Sequence, residues 1–279
     1  MKTIILTDST SDLSFERAKK LDIQIVPLSV CIGDRTYLDG IDLGKKEFFE
    51  IQSKTDLQAV TSQVNPEGFR EIFETAKANN DSIVYISISS KLSGTMQSAY
   101  IAKEMCEYDN IYIVDSQQAT LAEGCLVEYG CELRDMGKSA KEICDELNEL
   151  KSKLHLFAIV DTLKYLIRGG RLSKSAGTVG EILNLKPIIT LRNGEIMALN
   201  KTRGRKKAFE QIYSYLSNTE IDFSKPIYIG HSNNEDLAKE FALYLHKKGL
   251  LFKYVIEEIG VVIGTHAGPN CIGIAFFNK

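Results

Sequence analysis

DSIVYISISSKLSGTMQSAY, residues 81–100, decides how the rest of the chain is read. Ile83–Ser87 is a short apolar run of the length of a buried strand, and it stops at a cluster of serines. Ser89 to Thr95 form a polar turn, and from Thr95 to Cys106 a helix with a small-residue face is expected. A buried strand that feeds a polar turn and then a helix is the repeating unit of an α/β fold.

The unit recurs on both sides. Thr3–Leu6 runs into TDSTSD (7–12) and a helix near Ser14–Leu21, which Ser11, Asp12 or Ser14 could cap. Ile23–Val30 reads as a strand, a helix follows around Lys46–Lys54, and Pro66 suits the first turn of a helix over Glu67–Ala78. Ile111–Val114 runs into DSQQAT (115–120), with helices near Leu121–Arg134 and Ala140–Ser152 beyond it. If these strands are parallel, the three hydroxyl-rich turns share the carboxyl edge of one sheet, where α/β folds bind ligands. Ser93, Gly94 and Thr95 open a helix whose free N–H groups favour an anion, and Gly94 would admit a ligand close to the backbone. Any one such turn is equally well a helix cap. Clustering at one edge is what capping does not require.

The second half reads differently. Leu156–Val160 is a strand, Thr162–Arg168 a helix ending at Gly169–Gly170, and Lys186–Lys201 a hairpin turning at Asn193–Gly194. Helices near Gly204–Leu216 and Asn234–Lys248 alternate with strands at Ile227–Gly230 and Phe252–Glu257, and strands are expected at Val261–Gly264 and Ile272–Phe277. The expected class is therefore α/β with two domains: 1–154 with a mostly parallel sheet covered by helices, and 155–279 with a mixed, more antiparallel sheet. Thr61–Ser62–Gln63 by itself reads as loop.

Composition narrows the function classes. With 34 basic and 37 acidic residues the net charge is -3, so no global basic field draws nucleic acid. No run approaches the roughly 18 apolar residues of a membrane span. The N-terminus reads as a strand and not as a signal peptide, so a cytoplasmic protein without stable membrane insertion is expected. The 6 cysteines show neither CxxC pairing nor metal-ligand spacing, which points to reduced core thiols and no metal. His155, His231 and His246 read as structural, whereas His266 sits in a Gly-rich turn from which an imidazole could reach a carboxylate. Arg168, Arg171 and Lys174, and then Lys201, Arg203, Arg205, Lys206 and Lys207, form two basic clusters, either solvated faces or a docking patch.

Taken in order, TDSTSDL (7–13), PLSV (27–30), TSQ (61–63), SSKLSGTMQSA (89–99), VDS (114–116), LKYLIRGGR (163–171), LKPI (185–188), RGRKKA (203–208) and IGTHAGP (263–269) resemble the DegV family of fatty-acid-binding proteins, across nearly the whole chain. The resemblance implies a monomeric carrier, without cofactor or catalytic residues of its own, that buries a long-chain fatty acid between and within its domains. It implies presentation of the carboxylate to an ATP-dependent fatty acid kinase subunit that makes an acyl phosphate. Head-group contacts then fall on Thr61, Ser93 and His266, with Ser62, Gly94 and Thr95 beside them, while Arg171 and Arg203 match positions expected to serve the kinase. Two departures stand out: Val-Asn-Pro follows TSQ, and GPN stands where GPG is usual, a change the left-handed tolerance of Asn accommodates.

Three rival readings remain beside it. A hydrolase with Ser93 as nucleophile lacks a G-x-S-x-G elbow and an assigned acid to orient His266. A nucleotide enzyme lacks both the Walker loop and the dinucleotide fingerprint. A lipid sensor that passes nothing to a kinase would use the same pocket.

Overall fold

The computed structural model describes residues 2–54, 58–173 and 184–279. The chain starts with β1 (Thr3–Asp8), a 3-10 turn at Ser9–Ser11, α1 (Phe15–Lys20) and β2 (Ile23–Val26). Ser14 supplies the cap of α1, accepting from the Arg17 N–H, so of the candidate caps it is the one used. The strand expected to run on to Val30 breaks at Pro27, which has no N–H to give a ladder. Beyond it β3 (Ser29–Ile32) joins β4 (Arg35–Leu38) and, after α2 (Lys45–Lys54), β5 (Ala59–Ser62) in a separate antiparallel sheet, order β4-β3-β5. Thr61 and Ser62 therefore lie on a strand and not in a loop.

α3 (Pro66–Asn79), β6 (Ser82–Ser87), α4 (Thr95–Cys106), β7 (Ile111–Asp115), α5 (Thr120–Asp135) and α6 (Ala140–Leu150) follow. β2, β1, β6 and β7 form one four-stranded sheet in that order, parallel throughout. All three turns of the sequence reading therefore leave the carboxyl edge of one sheet. β6 is buried at every residue, as a central parallel strand covered on both faces must be.

The rest of the chain builds a six-stranded mixed sheet. β8 (Leu154–Ile159) is followed by α7 (Lys164–Arg168), the hairpin β9 (Leu185–Arg192) and β10 (Glu195–Arg203), α8 (Arg205–Ser217), β11 (Tyr228–His231), α9 (Glu235–Lys247), β12 (Val255–Glu258), α10 (Val261–Ala267) and β13 (Ile272–Phe277). The order is β10-β9-β8-β13-β11-β12, antiparallel except for β11 with β12. Asn193 and Gly194 take positive φ, 53° and 82°, as a two-residue hairpin turn requires. Val261–Gly264, expected as a strand from its β-branched run, is the start of helix α10 instead. Buried carboxylates accept the first N–H groups of that helix, and this outweighs the local propensity.

α5 joins the two large sheets. It is buried at 12 of its 16 positions, which places it inside the molecule rather than on its surface. Val84 and Ile86 of the parallel sheet share one apolar cluster with Leu126 of α5 and with Leu154, Leu156, Tyr228 and Phe277 of the mixed sheet. The division expected near residue 155 falls at the start of β8, and this core runs across it. The Gly194 carbonyl accepts from the buried Ser89 hydroxyl at 2.8 Å, docking the hairpin tip onto the SSKLSGT turn. A Cβ at Gly194 would lie 2.6 Å from Ser89 Oγ, so that position needs glycine for space as well as for φ.

Candidate functional site

Between the sheets lies a cavity whose empty space, open mouth included, is about 820 Å³. Its floor is the inner face of the mixed sheet. Gly273, Ala158 and Ile189 lie side by side on β13, β8 and β9, and Leu191 pairs with Ile196 across the hairpin; all five line the cavity. Leu28, Ile88, Leu92, Ala119 and Leu121 close the opposite wall, and α10 adds Val262, Ile263 and Ala267. These apolar positions alternate like any core strand, so nothing in the one-dimensional pattern separates them from packing.

Polar side chains gather at Thr61, Ser62 and Gln63 from the end of β5, Ser93 ahead of α4, Arg171 after α7 and His266 in the last turn of α10. Thr61 Oγ1 and His266 Nε2 are 2.8 Å apart. Burial pushes the His266 imidazole down to about 4, with the charges of Arg171 and Arg168 adding to it, so the ring is neutral near pH 7. Gly169 makes room for the ring: a Cβ there would sit 2.1 Å from His266 Nδ1. Arg171 is half-buried, donating to the Leu92 carbonyl at 3.1 Å and to the Gly169 carbonyl at 2.6 Å. Ser93 Oγ lies 2.8 Å from Thr95 Oγ1 and accepts from the Thr95 N–H.

The sequence-derived site is thus brought together only in part. Thr61, Ser62, Ser93 and His266 line the cavity. Thr95 is fully buried beneath Ser93 and does not reach it. The close approach at Gly94 belongs to the Gln63 side chain, since a Cβ there would meet Gln63 Oε1 at 2.1 Å. Gln63 in turn donates to Ser98 Oγ at 3.0 Å, and its place in the wall was not foreseen. Arg171, expected to serve a partner, lines the cavity, whereas Arg203 is exposed at the end of β10. Lys174 lies outside the described residues. His231 accepts from the Asn234 N–H, His155 stacks on Phe276, and His246 meets Phe252 edge-on, so all three are taken up in packing away from the cavity wall. Asn270 takes φ 57°, so the GPN turn keeps the left-handed step. All 6 cysteines are free, four of them buried.

The first of the three turns does something else. Its hydroxyls face inward onto buried acids. Asp8, fully buried, accepts from the Thr10 N–H (3.1 Å), the Ile88 N–H (3.1 Å) and the Tyr85 hydroxyl (2.9 Å). Thr10 Oγ1 lies between Asp8 Oδ1 and Glu123 Oε2, the latter at 2.9 Å. A hydroxyl donates only one proton, so one acid must donate into this chain. Burial raises both carboxyls, Glu123 well above its ordinary value, and since Asp8 already accepts from two N–H groups and the Tyr85 hydroxyl, Glu123 is the acid placed to donate. Asp12 Oδ1 accepts from the Gly260 N–H at 2.8 Å, its Oδ2 accepts from the Thr120 hydroxyl at 2.6 Å, and Asp39 accepts from the Val261 N–H at 3.0 Å. Thr120 is held at φ 53°, unusual for a β-branched residue, and also lines the cavity. Among the described residues no group of three or more His, Cys, Asp or Glu is placed to hold a metal ion, and no helix is long and apolar enough to cross a membrane.

Fold and cavity together define an α/β protein with an internal, one-ended amphipathic cavity. The chain belongs to the DegV family: the model of the family described as "Uncharacterised protein, DegV family" matches residues 2–279. A DegV domain-containing protein of Caldanaerobacter subterraneus is 36% identical over 279 residues, covering 100% of this chain and 99% of the relative. Among solved structures, a DegV family protein from Thermus thermophilus described for its fatty acid binding superposes with a TM-score of 0.90 at 31% identity, covering 100% of both chains. DegV from Bacillus subtilis, described as a fatty acid binding protein, superposes with a TM-score of 0.87 at 33% identity, again covering 100% of both.

Proposed function

We propose that this protein is a fatty acid carrier that buries the acyl chain against the mixed sheet and holds the carboxylate among Thr61, Ser62, Ser93, Arg171 and His266. The observation that carries the reading is the composition of the cavity wall: apolar along β8, β9, β10 and β13, with hydroxyls, an amide, an imidazole and a guanidinium contributed by β5, the turn before α4, α10 and the segment after α7. The two solved relatives described as binding fatty acids support it. Burying a long chain yields roughly 0.8 kcal/mol per methylene, on the order of 10 kcal/mol gross. Head-group hydrogen bonds add about 0.5–1.5 kcal/mol each, more for a charged acceptor, so the tail sets affinity and the polar groups set direction.

The carrier works with an ATP-dependent kinase that phosphorylates the presented carboxylate. Hydroxyls and a neutral imidazole suit that role, because they hold a carboxylate without adding a strong base beside the incoming phosphoryl group. Arg203, exposed beside Arg205, Lys206 and Lys207, belongs to the docking face in this scheme. Arg171 belongs to the ligand. The hydrolase alternative fits poorly: Ser93 pairs with Thr95, His266 pairs with Thr61, and among the described residues His266 Nδ1 has no hydrogen-bond partner to orient the ring.

Mass spectrometry of an organic extract of the mildly purified protein is the test. Stoichiometric fatty acid supports the carrier. No lipid after purification and no uptake on incubation overturns it. Conversion of the bound lipid to acyl phosphate by a co-purifying ATP-binding protein supports the kinase partnership, and a bound lipid that no such partner phosphorylates leaves a sensor.

A further inference from the structure

One buried carboxylate touches two walls of the cavity without lining it. Asp12 Oδ1 receives the N–H of Gly260, the residue that caps α10, and Oδ2 receives the hydroxyl of Thr120, the first residue of α5. α10 carries Val262, Ile263 and His266 into the cavity, and Ala119, Thr120 and Leu121 form the facing turn. The approach is tight, since a Cβ at Gly260 would lie 2.8 Å from Asp12 Oδ1. Asp12 comes from the turn after β1, Thr120 from the start of α5, and Gly260 from 248 residues beyond Asp12.

We propose that Asp12 is the positioning residue of the cavity, fixing α10 against the Thr120 turn so that His266 meets Thr61 at the polar end. Its consequence for ligand release rests on the carrier reading above. Around Asp12 stand Asp39 from the segment after β4, Lys45 from α2, Glu123 from α5 and the Cys271 thiol ahead of β13. Burial, with the Asp39 charge added, raises the Asp12 carboxyl to about 7, against the pull of Lys45 and the Thr120 bond. The neutral acid keeps both contacts: its carbonyl oxygen accepts from Gly260, and its O–H donates to Thr120 Oγ1. Ionisation strengthens the two bonds themselves but leaves a buried charge, beside Asp39, that opening of the α10 contact to water relieves. The cavity is therefore held most tightly at low pH, loosens as pH rises towards about 7 and changes little above it.

Release of cis-parinaric acid, followed by fluorescence from about pH 5.5 to 8.5, tests the assignment together with Asp12→Ala and Asp12→Asn. The wild-type rate should rise from pH 5.5 to about 7 and level off above it. Asp12→Asn preserves one acceptor and one donor without charge, so its rate should stay low and flat. Asp12→Ala removes both bonds and should release about tenfold faster at every pH. An alanine variant with the wild-type rate, or an asparagine variant with the wild-type pH profile, overturns the assignment. If the alanine variant fails to fold, the asparagine profile still decides. Amide exchange at Gly260, expressed as protection and measured without lipid, reads the same tie independently. Protection lost in the alanine variant and held in the asparagine variant supports the tie even if no form takes up fatty acid, which would refute the carrier alone. Protection unchanged in the alanine variant overturns the tie.

Discussion

The switch point of the parallel sheet and the apolar cavity are neighbours along the chain, yet their chemistry is opposite. At the carboxyl ends of β1 and β6, where open α/β sheets commonly take anionic ligands, Asp8, Glu123, Thr7, Thr10, Tyr85 and Ser87 form a closed, fully satisfied acidic knot. One residue past Ser87, Ile88 lines a cavity that is apolar over most of its wall. The crevice that would hold a phosphate is filled with the wrong charge. Ligand space opens instead beside it, between the parallel sheet and the mixed one. A sheet edge thus indicates where side chains converge, while the side chains themselves decide what is admitted.

The largest effect is expected from cutting the knot. Asp8→Ala leaves the Thr10 and Ile88 N–H groups buried without an acceptor and the Tyr85 hydroxyl with Ser87 Oγ alone, and should cost about 3 kcal/mol or more, read as a lowered urea midpoint. Ala158→Phe probes the other region: it should abolish uptake of long-chain fatty acid while shifting stability by no more than about 1–3 kcal/mol. Equal losses of stability from both changes would break the contrast, because the cavity would then be ordinary core.

The pH dependence of folding separates Asp12, behind the cavity wall, from His266, within it, by sign. Asp12 is raised in the fold from 3.8 to about 7, so its contribution is present below 3.8 and is lost as pH rises through about 7. His266 is lowered from 6.5 to about 4, so its contribution is present above 6.5 and is lost as pH falls through about 4. The thermal midpoint of Asp12→Asn should therefore climb relative to wild type between those limits as pH rises, and a constant offset would refute the assignment. The smallest effects belong to the polar end of the cavity. Thr61→Ala should weaken fatty acid binding only several-fold, for loss of about 0.5–1.5 kcal/mol, and Arg203→Ala should leave the affinity unchanged in a titration. Arg171→Ala should weaken binding, which distinguishes a cavity-lining arginine from a docking one.

Much of this architecture was legible along the chain. The strand–turn–helix units from β1 to α6, the Asn193–Gly194 hairpin and the helices after Arg203 and Asn234 follow from apolar period and turn chemistry, both local properties. What misled was also local. Val261–Gly264 has the β-branched composition of a strand, and only carboxylates 222 and 248 residues away make it a helix. Pro27 was the available sign that β2 ends early, while the strand pairing of Thr61 and Ser62 depends on β3 and had no signal of its own.

By itself the sequence determined the α/β class, three hydroxyl-rich turns that each follow an apolar strand, and the presence of Thr61, Ser93 and His266 as polar candidates. Those features depend on spacing and residue type, which a linear string displays. Tertiary structure alone decided which hydroxyls face the cavity and which face buried acids, that Arg171 points inward while Arg203 does not, and that Asp12 binds two walls together. The physical reason is that a hydrogen bond and a cavity wall are set by distances in space, and the partners here lie more than a hundred residues apart.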